Sequence, residues 1–266
     1  MNRGTWAGLV IGVLVLAAGV YYYWTKDREP RVFEPPAPAA EATPTPTPAA
    51  EIEYPLPSPT MAPEAAKPLP PLEQSDEDVA GSLGEVFGEP PVEAFLVPDR
   101  VVRRLVAFVD SLDGEALRLK QRPVPRLDGT LIVDKRGDEL YLDPANFERY
   151  DAIASAIEAA EAERIVAFYL RYYPLMQKAY AEQGYPDRYF NDRVVAIIDH
   201  LLATPVVEPP IRLVQPKVFY QFADPELEAL SSGRKLLIRI GPDNAAIVKQ
   251  KLHAIRKEIV TAAPPG

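Results

Sequence analysis

The chain has 266 residues, a formal net charge of −9, no cysteine and 30 prolines. Its acidic balance, without any dense Lys/Arg run, argues against a nucleic-acid binder, which would show a basic face. Lack of cysteine excludes disulfides, thiolate metal sites, cysteine nucleophiles and lipid attachment to cysteine.

After a short N-terminus (residues 1–5), Trp6–Trp24 carries no charged residue. As a helix it would span roughly 28 Å, close to the ~30 Å hydrocarbon core of a bilayer. Trp6 at one end and Tyr21–Trp24 at the other match an interfacial aromatic belt. Residues 6–24 therefore read as a single-pass signal anchor, one transmembrane helix. Arg3 and the amino terminus precede it, while Lys26, Asp27, Arg28 and Glu29 nearly cancel behind it. That asymmetry places the N-terminus in the cytoplasm and the rest on the far side of the membrane. The rival reading, a cleaved signal peptide, offers only a poor site at Leu16-Ala17-Ala18.

Fourteen prolines fall between Pro30 and Pro71. Residues 25–71 thus read as a Pro-rich, disordered tether, on the order of 145 Å long if fully polyproline-like and about 40 Å as a flexible coil. A globular domain is expected over 72–260 and a frayed tail over 261–266.

Within that domain the spacing predicts mostly helix. Ser75 followed by Asp78 reads as a helix start, with Gly88 and Pro90-Pro91 as its stop. A second helix is expected from Pro98-Asp99, its Arg100, Arg103 and Arg104 forming a solvated basic face. Thr130–Leu142 reads as a β-hairpin around Arg136-Gly137-Asp138, where a turn glycine suffices and no adhesion role is assigned. Asp143-Pro144 starts a helix through Ile157, and the next is kinked or split at Pro174. Asp187–Leu202 forms another. Val206–Phe222, broken by prolines 209, 210 and 216, is expected to pack irregularly or at an edge. Asp224-Pro225 caps a short helix, Ser231-Ser232-Gly233 reads as a helix C-terminal turn, and Arg234–Ile240 fits strand or helix equally. After Gly241-Pro242 comes a last helix with Ala245, Val248, Leu252, Ile255 and Ile259 on one seam. The fold class is mostly α: a multi-helix domain with a small β-hairpin and irregular extended segments, preceded by one transmembrane helix.

Three segments resemble a known family: YLDPANFERYD from Tyr141, the stretch Tyr172–Pro205 with its GYPDRYFNDR core, and the stretch Pro216–Leu252. With the anchor and tether they resemble domain of unknown function 3014, membrane-anchored proteins of Gram-negative bacteria. The resemblance spans most of Leu72–Leu252 and implies an envelope location. It implies no activity, cofactor or catalytic residue.

The residues themselves point away from an enzyme. His200 and His253 fit no zinc spacing, so no metal site is assigned. Neither a nucleophile elbow nor a phosphate loop occurs, and no cofactor is expected. Asp192 and Asp199, about 10 Å apart along one helix face, lie near the ~6.5–9.5 Å separation of inverting glycosidases. The bland alternative is helix capping, ion pairing and surface charge. A cluster of aromatics (Tyr172, Tyr173, Tyr180, Tyr185, Tyr189, Phe190, Phe219, Tyr220, Phe222) cannot all turn inward. Tyr173, Tyr185, Arg188, Tyr189, Asn191 and Asp192 form the candidate interaction patch, because tyrosines suit protein contacts and sugar stacking. The expected partners are the inner membrane through residues 6–24 and an envelope protein, with cell-wall glycan as the alternative ligand and no nucleic acid.

Overall fold

The computed structural model describes residues 52–56, 68–127 and 129–261. All belong to one structural unit, Ala49–Gly266. The expected anchor, Trp6–Trp24, lies outside the described residues, as does the tail from 262. Among the described residues no helix is long and apolar enough to cross a membrane.

The domain is mostly helical with a small antiparallel sheet. Helix α1 (Asp76–Phe87) starts with three acidic residues, which suit the positive end of a helix. Ser75 precedes it without capping it, donating instead to the Leu72 carbonyl at 2.9 Å. Gly88, at φ 88°, ends it, but the chain re-enters helix at once as α2 (Glu89–Phe95). Pro90-Pro91 falls in the first turn of α2, where a missing N–H costs nothing. The prolines expected to be only a stop are therefore also a start.

Helix α3 (Val101–Ser111) begins at Arg100, a non-glycine residue at φ 51°. That left-handed conformation is unfavourable for a residue that carries a Cβ. Asp76 compensates, its two carboxylate oxygens accepting from the Arg100 and Val101 amides at 2.8 Å each. The expected basic face is engaged: Arg103 bridges Glu73 and Glu182, and Arg104 contacts Asp99.

The hairpin pairs β1 (Val133–Arg136) with β2 (Glu139–Leu142) through a two-residue loop, with Gly137 at φ 64°. Gly at the first loop position matches the strand twist. The helix expected from Asp143 is divided. Asp143 caps Ala145, but two 3-10 turns, Pro144–Asn146 and Glu148–Tyr150, come before α4 (Asp151–Ala159). Buried Asn146 sets this geometry, clasping Ile132 through both its N–H and its carbonyl.

Helix α5 (Ala162–Glu182) runs on through Pro174 and is not split. Pro174 faces solvent, so its ring displaces no core side chain. Helix α6 is Phe190–Leu202, starting three residues later than the Asp187 start expected.

Strand β3 (Ile211–Val214) sits inside the sheet between β2 and β4 (Gln221–Phe222), giving the order β1-β2-β3-β4. This corrects the expectation of edge-like packing. The prolines at 209, 210 and 216 flank the strand and leave its own four N–H groups free to pair. Alternation is strict, with Ile211 and Leu213 buried and Arg212 and Val214 exposed.

Helix α7 is short (Pro225–Glu228), capped by Asp224. Residues 231–233 do not end a helix; they start α8 (Ser232–Arg239), with Ser231 Oγ accepting from the Arg234 amide. That resolves the ambiguous stretch as helix. Its N-terminal amides meet the end of α3: Ser232 donates to the Gly114 carbonyl and Gly233 to that of Leu112, both at 2.8 Å. Helix α9 (Pro242–Thr261) carries the expected seam.

Among the described residues four apolar clusters form the core. One joins α1, α3, α5 and the start of α6 around Val79, Val102, Val106, Tyr172 and Phe190. A second packs α3 and α6 on α8 around Leu112, Ile197, Leu201 and Leu237. The third seats the sheet on α8 through Leu142, Ile211, Leu213, Phe222 and Ile238. The fourth, Val166, Val195 and Ile259, lies between α5, α6 and α9.

Candidate functional site

The α5–α6 corner brings most of the candidate patch together. Its residues divide between the hydrogen-bonded end of α6 and an aromatic layer beneath. Helix α6 opens with two amides that its own turn cannot satisfy. The Phe190 amide donates to Gln177 Oε1 at 2.8 Å and the Asn191 amide to the Tyr173 hydroxyl at 3.3 Å. Tyr173 in turn donates to Gln177 Oε1 at 2.9 Å, and Gln177 Nε2 donates to the Arg188 carbonyl. The cap of α6 is thus supplied by α5, which is why Asp187 was not needed. Gln177 went unnoticed in the sequence, since nothing local marks a long-range cap.

Ring contacts tie the layer together. Tyr173 packs on Tyr169 and on Tyr189, with centroids at 5.6 and 5.5 Å. Tyr185 stacks on buried Tyr180 at 4.6 Å. Burial, with Tyr189 adding to it, pushes the Tyr173 hydroxyl well above its ordinary value, so it serves as a neutral donor and acceptor. Of the six patch residues only Arg188 is exposed. Tyr173, Tyr185, Tyr189 and Asp192 are half-buried, and Asn191 is 0% exposed.

What lies against this corner is the chain itself. Residues 52–56, read from composition as part of the tether, pack on it. Asp192 accepts from two consecutive amides, Tyr54 at 2.8 Å and Glu53 at 3.2 Å. Asn191 Nδ2 donates to the Tyr54 carbonyl at 2.8 Å, and the Leu56 amide donates to the Tyr189 hydroxyl at 3.0 Å. Asn191 is aimed by Tyr169, whose hydroxyl donates to its Oδ1 at 2.8 Å. Tyr54 and Leu56 add their side chains to the cluster of Val166, Val195 and Ile259.

The carboxylates weighed for glycan chemistry are both engaged. Asp192 holds those amides, and Asp199 takes a forked contact from Arg256, with Nη2 at 2.9 Å from Oδ2. On the reverse side of α6, Arg193 clamps α3. It donates to Asp110 Oδ1 at 3.0 Å, to the Asp110 carbonyl at 2.7 Å and to both oxygens of Asp113 at 2.7 Å. Asp113 is held below the usual carboxylate range chiefly by that hydrogen bond.

His200, in the last turn of α6, lies 2.7 Å from Ser231 Oγ. With Ser231 committed to capping α8, the contact is a clasp between α6 and α8. Among the described residues no group of three or more His, Asp and Glu side chains could hold a metal ion. Burial and then Arg234 lower the His200 pKa below its ordinary 6.5, with Arg193 adding and Asp113 opposing. The folded state therefore binds its proton less readily than the unfolded chain. This contribution to stability is complete above pH 6.5 and is lost as pH falls from there through the depressed folded value. His200→Gln should flatten that part of the pH–stability curve, read from urea midpoints between pH 5 and 7. An unchanged slope would assign the acid sensitivity to other groups.

The architecture and the corner define a helical domain that holds a linear segment of polypeptide. Residues 101–256 match the family described as Protein of unknown function (DUF3014), and the chain belongs to it. No curated protein and no solved structure matches the chain. The matched stretch includes α5, α6 and every residue of the candidate patch.

Proposed function

We propose that the protein is a membrane-tethered, non-enzymatic interaction or assembly module of the bacterial cell envelope, with its domain in the periplasm. The observation that carries this reading is the α5–α6 corner. Its polar groups are directed at the backbone of a linear segment, which is how a surface grips polypeptide rather than how a site performs chemistry. The uncharged run Trp6–Trp24 and the Pro-rich stretch behind it support the tethered arrangement, because a leash raises the effective concentration of the domain near membrane partners. The protein-binding reading is preferred to the glycan alternative because Asp192 and Asp199 each hold protein groups in this structure.

Two measurements test the proposal together. Removing residues 1–24 should move the protein from the membrane to the soluble fraction. A photo-crosslinking residue in place of exposed Arg188 should give a discrete protein adduct in cells, and only with the N-terminal run intact. Membrane association without residues 1–24 would contradict the anchor, and absence of any adduct would contradict the module.

A further inference from the structure

We infer that the α5–α6 corner is a peptide-recognition site for a short aromatic-Pro-aliphatic segment, and that Tyr54-Pro55-Leu56 is a displaceable intramolecular occupant of it. This deepens the interaction-module reading and rests on it.

The segment is held as a ligand is held. Its four hydrogen bonds to Tyr189, Asn191 and Asp192 all use its backbone: two N–H groups on Asp192, one carbonyl on Asn191 Nδ2 and one N–H on the Tyr189 hydroxyl. Those four fix direction and register for any sequence. Selectivity comes from the side chains. Tyr54 and Leu56 enter the apolar cluster between α5, α6 and α9, while the residue between them is a proline. No acceptor in the corner calls for an N–H at position 55, so proline is tolerated there. Its restricted φ lowers the ordering cost of binding.

The receiving groups are set by the domain rather than by the segment. Tyr169 orients Asn191, Tyr173 packs under Tyr189, and Asp192 lies in the first turn of α6, where the helix dipole favours its charge. Asn191 is fully buried, so its Nδ2 needs a partner whenever the corner is covered. Among the described residues, no buried side-chain polar atom lacks one with Tyr54 in place.

The occupant itself is lightly held. Ile52 and Glu53 are exposed and Tyr54, Pro55 and Leu56 only half-buried. The receiving residues fall within the family-matched stretch 101–256, and the occupant lies outside it. A peptide from a partner with the same pattern would therefore compete against a tethered copy, and tethering of this kind sets an effective concentration on the order of millimolar.

The experiment uses the full chain in detergent and a fluorescent peptide of residues 51–57. Tyr54→Ala with Leu56→Ala, or deletion of residues 52–56, should vacate the corner and tighten peptide binding on the order of tenfold over the unaltered chain. Adding Asp192→Ala should abolish that binding, and a peptide carrying alanine at the Tyr and Leu positions should not bind. The inference is overturned if neither vacated chain binds the peptide, or if binding survives Asp192→Ala. It is also overturned if vacating the corner lowers the melting temperature by several degrees, which would make the segment a structural strap. Lost peptide binding with in-cell adducts from position 188 still present would remove this inference alone and leave the interaction module standing.

Discussion

Arg193→Ala should lower the free energy of unfolding by about 3 kcal/mol, near the lower end for breaking a buried ion pair. Asp110 has a side chain only 5% exposed, and Arg193 satisfies both its carboxylate and its backbone carbonyl. Truncation leaves Asp110 with Arg118 at 3.2 Å and the Tyr185 hydroxyl at 3.4 Å. Arg118 is 41% exposed on its side chain, so solvent screens that pairing. The Asp110 carbonyl and Asp113 lose their contacts with Arg193 as well. Arg193→Lys should recover less than half of the loss, because an ammonium cannot fork onto two carboxylates and a carbonyl at once. Urea unfolding at constant m-value measures both. A loss below 1 kcal/mol for alanine would show that Arg118 alone neutralises Asp110.

Gly233→Ala should cost about 3 kcal/mol, against the direction that helix propensity predicts. Propensity alone would favour alanine in α8 by up to about 1 kcal/mol. Space decides otherwise. A Cβ at 233 would lie 2.6 Å from the Leu112 carbonyl oxygen and 2.9 Å from Leu201 Cδ2. The carbonyl cannot withdraw without losing its 2.8 Å bond from the Gly233 amide. Overpacking of this kind typically costs 1–3 kcal/mol, and here the obstacle is backbone. Gly81→Ala in α1 is the control, because nothing lies within 4 Å of its added Cβ. It should be neutral or stabilising by up to about 1 kcal/mol. Parallel melting curves separate the cases, and a stable Gly233→Ala protein would mean that α3 and α8 slide apart freely.

Helices with a clean seam were legible in the sequence. The 3-4 spacing from Ala245 to Ile259 found α9, and Gly137 found the hairpin, because both signals are local. Features decided by distant partners were not. Ser231-Ser232-Gly233 read as an ending because the signals for a cap and a stop overlap; only Leu112 and Gly114, far back in the chain, make it a beginning. Pro209, Pro210 and Pro216 suggested an irregular edge, yet a four-residue strand fits between them. At the corner, Tyr173, Asn191 and Asp192 were recognisable as polar and aromatic groups beside a Gly-Tyr-Pro turn. Their occupant was hidden by its surroundings, since Tyr54-Pro55-Leu56 has the composition of the proline-rich stretch around it. Gln177 and Arg193, which hold the corner and its reverse side, carry no local signature of either task.

The junction between α3 and α8 also constrains the order in which the protein can be made. The Ser232 hydroxyl bonds the Ser111 carbonyl across 121 residues of sequence. Helix α3 thus leaves the ribosome long before the groups that close its last turn exist. Contacts of such separation are reached only after a large loop has been closed, so they form late and slowly. Until α8 arrives, the nascent chain carries an open helix end beside the unfilled space left for α8 around Leu112 and Leu201. The N-terminal helices are therefore no independent subdomain, and a chain interrupted before residue 231 would be a substrate for chaperones and proteases rather than a smaller folded protein.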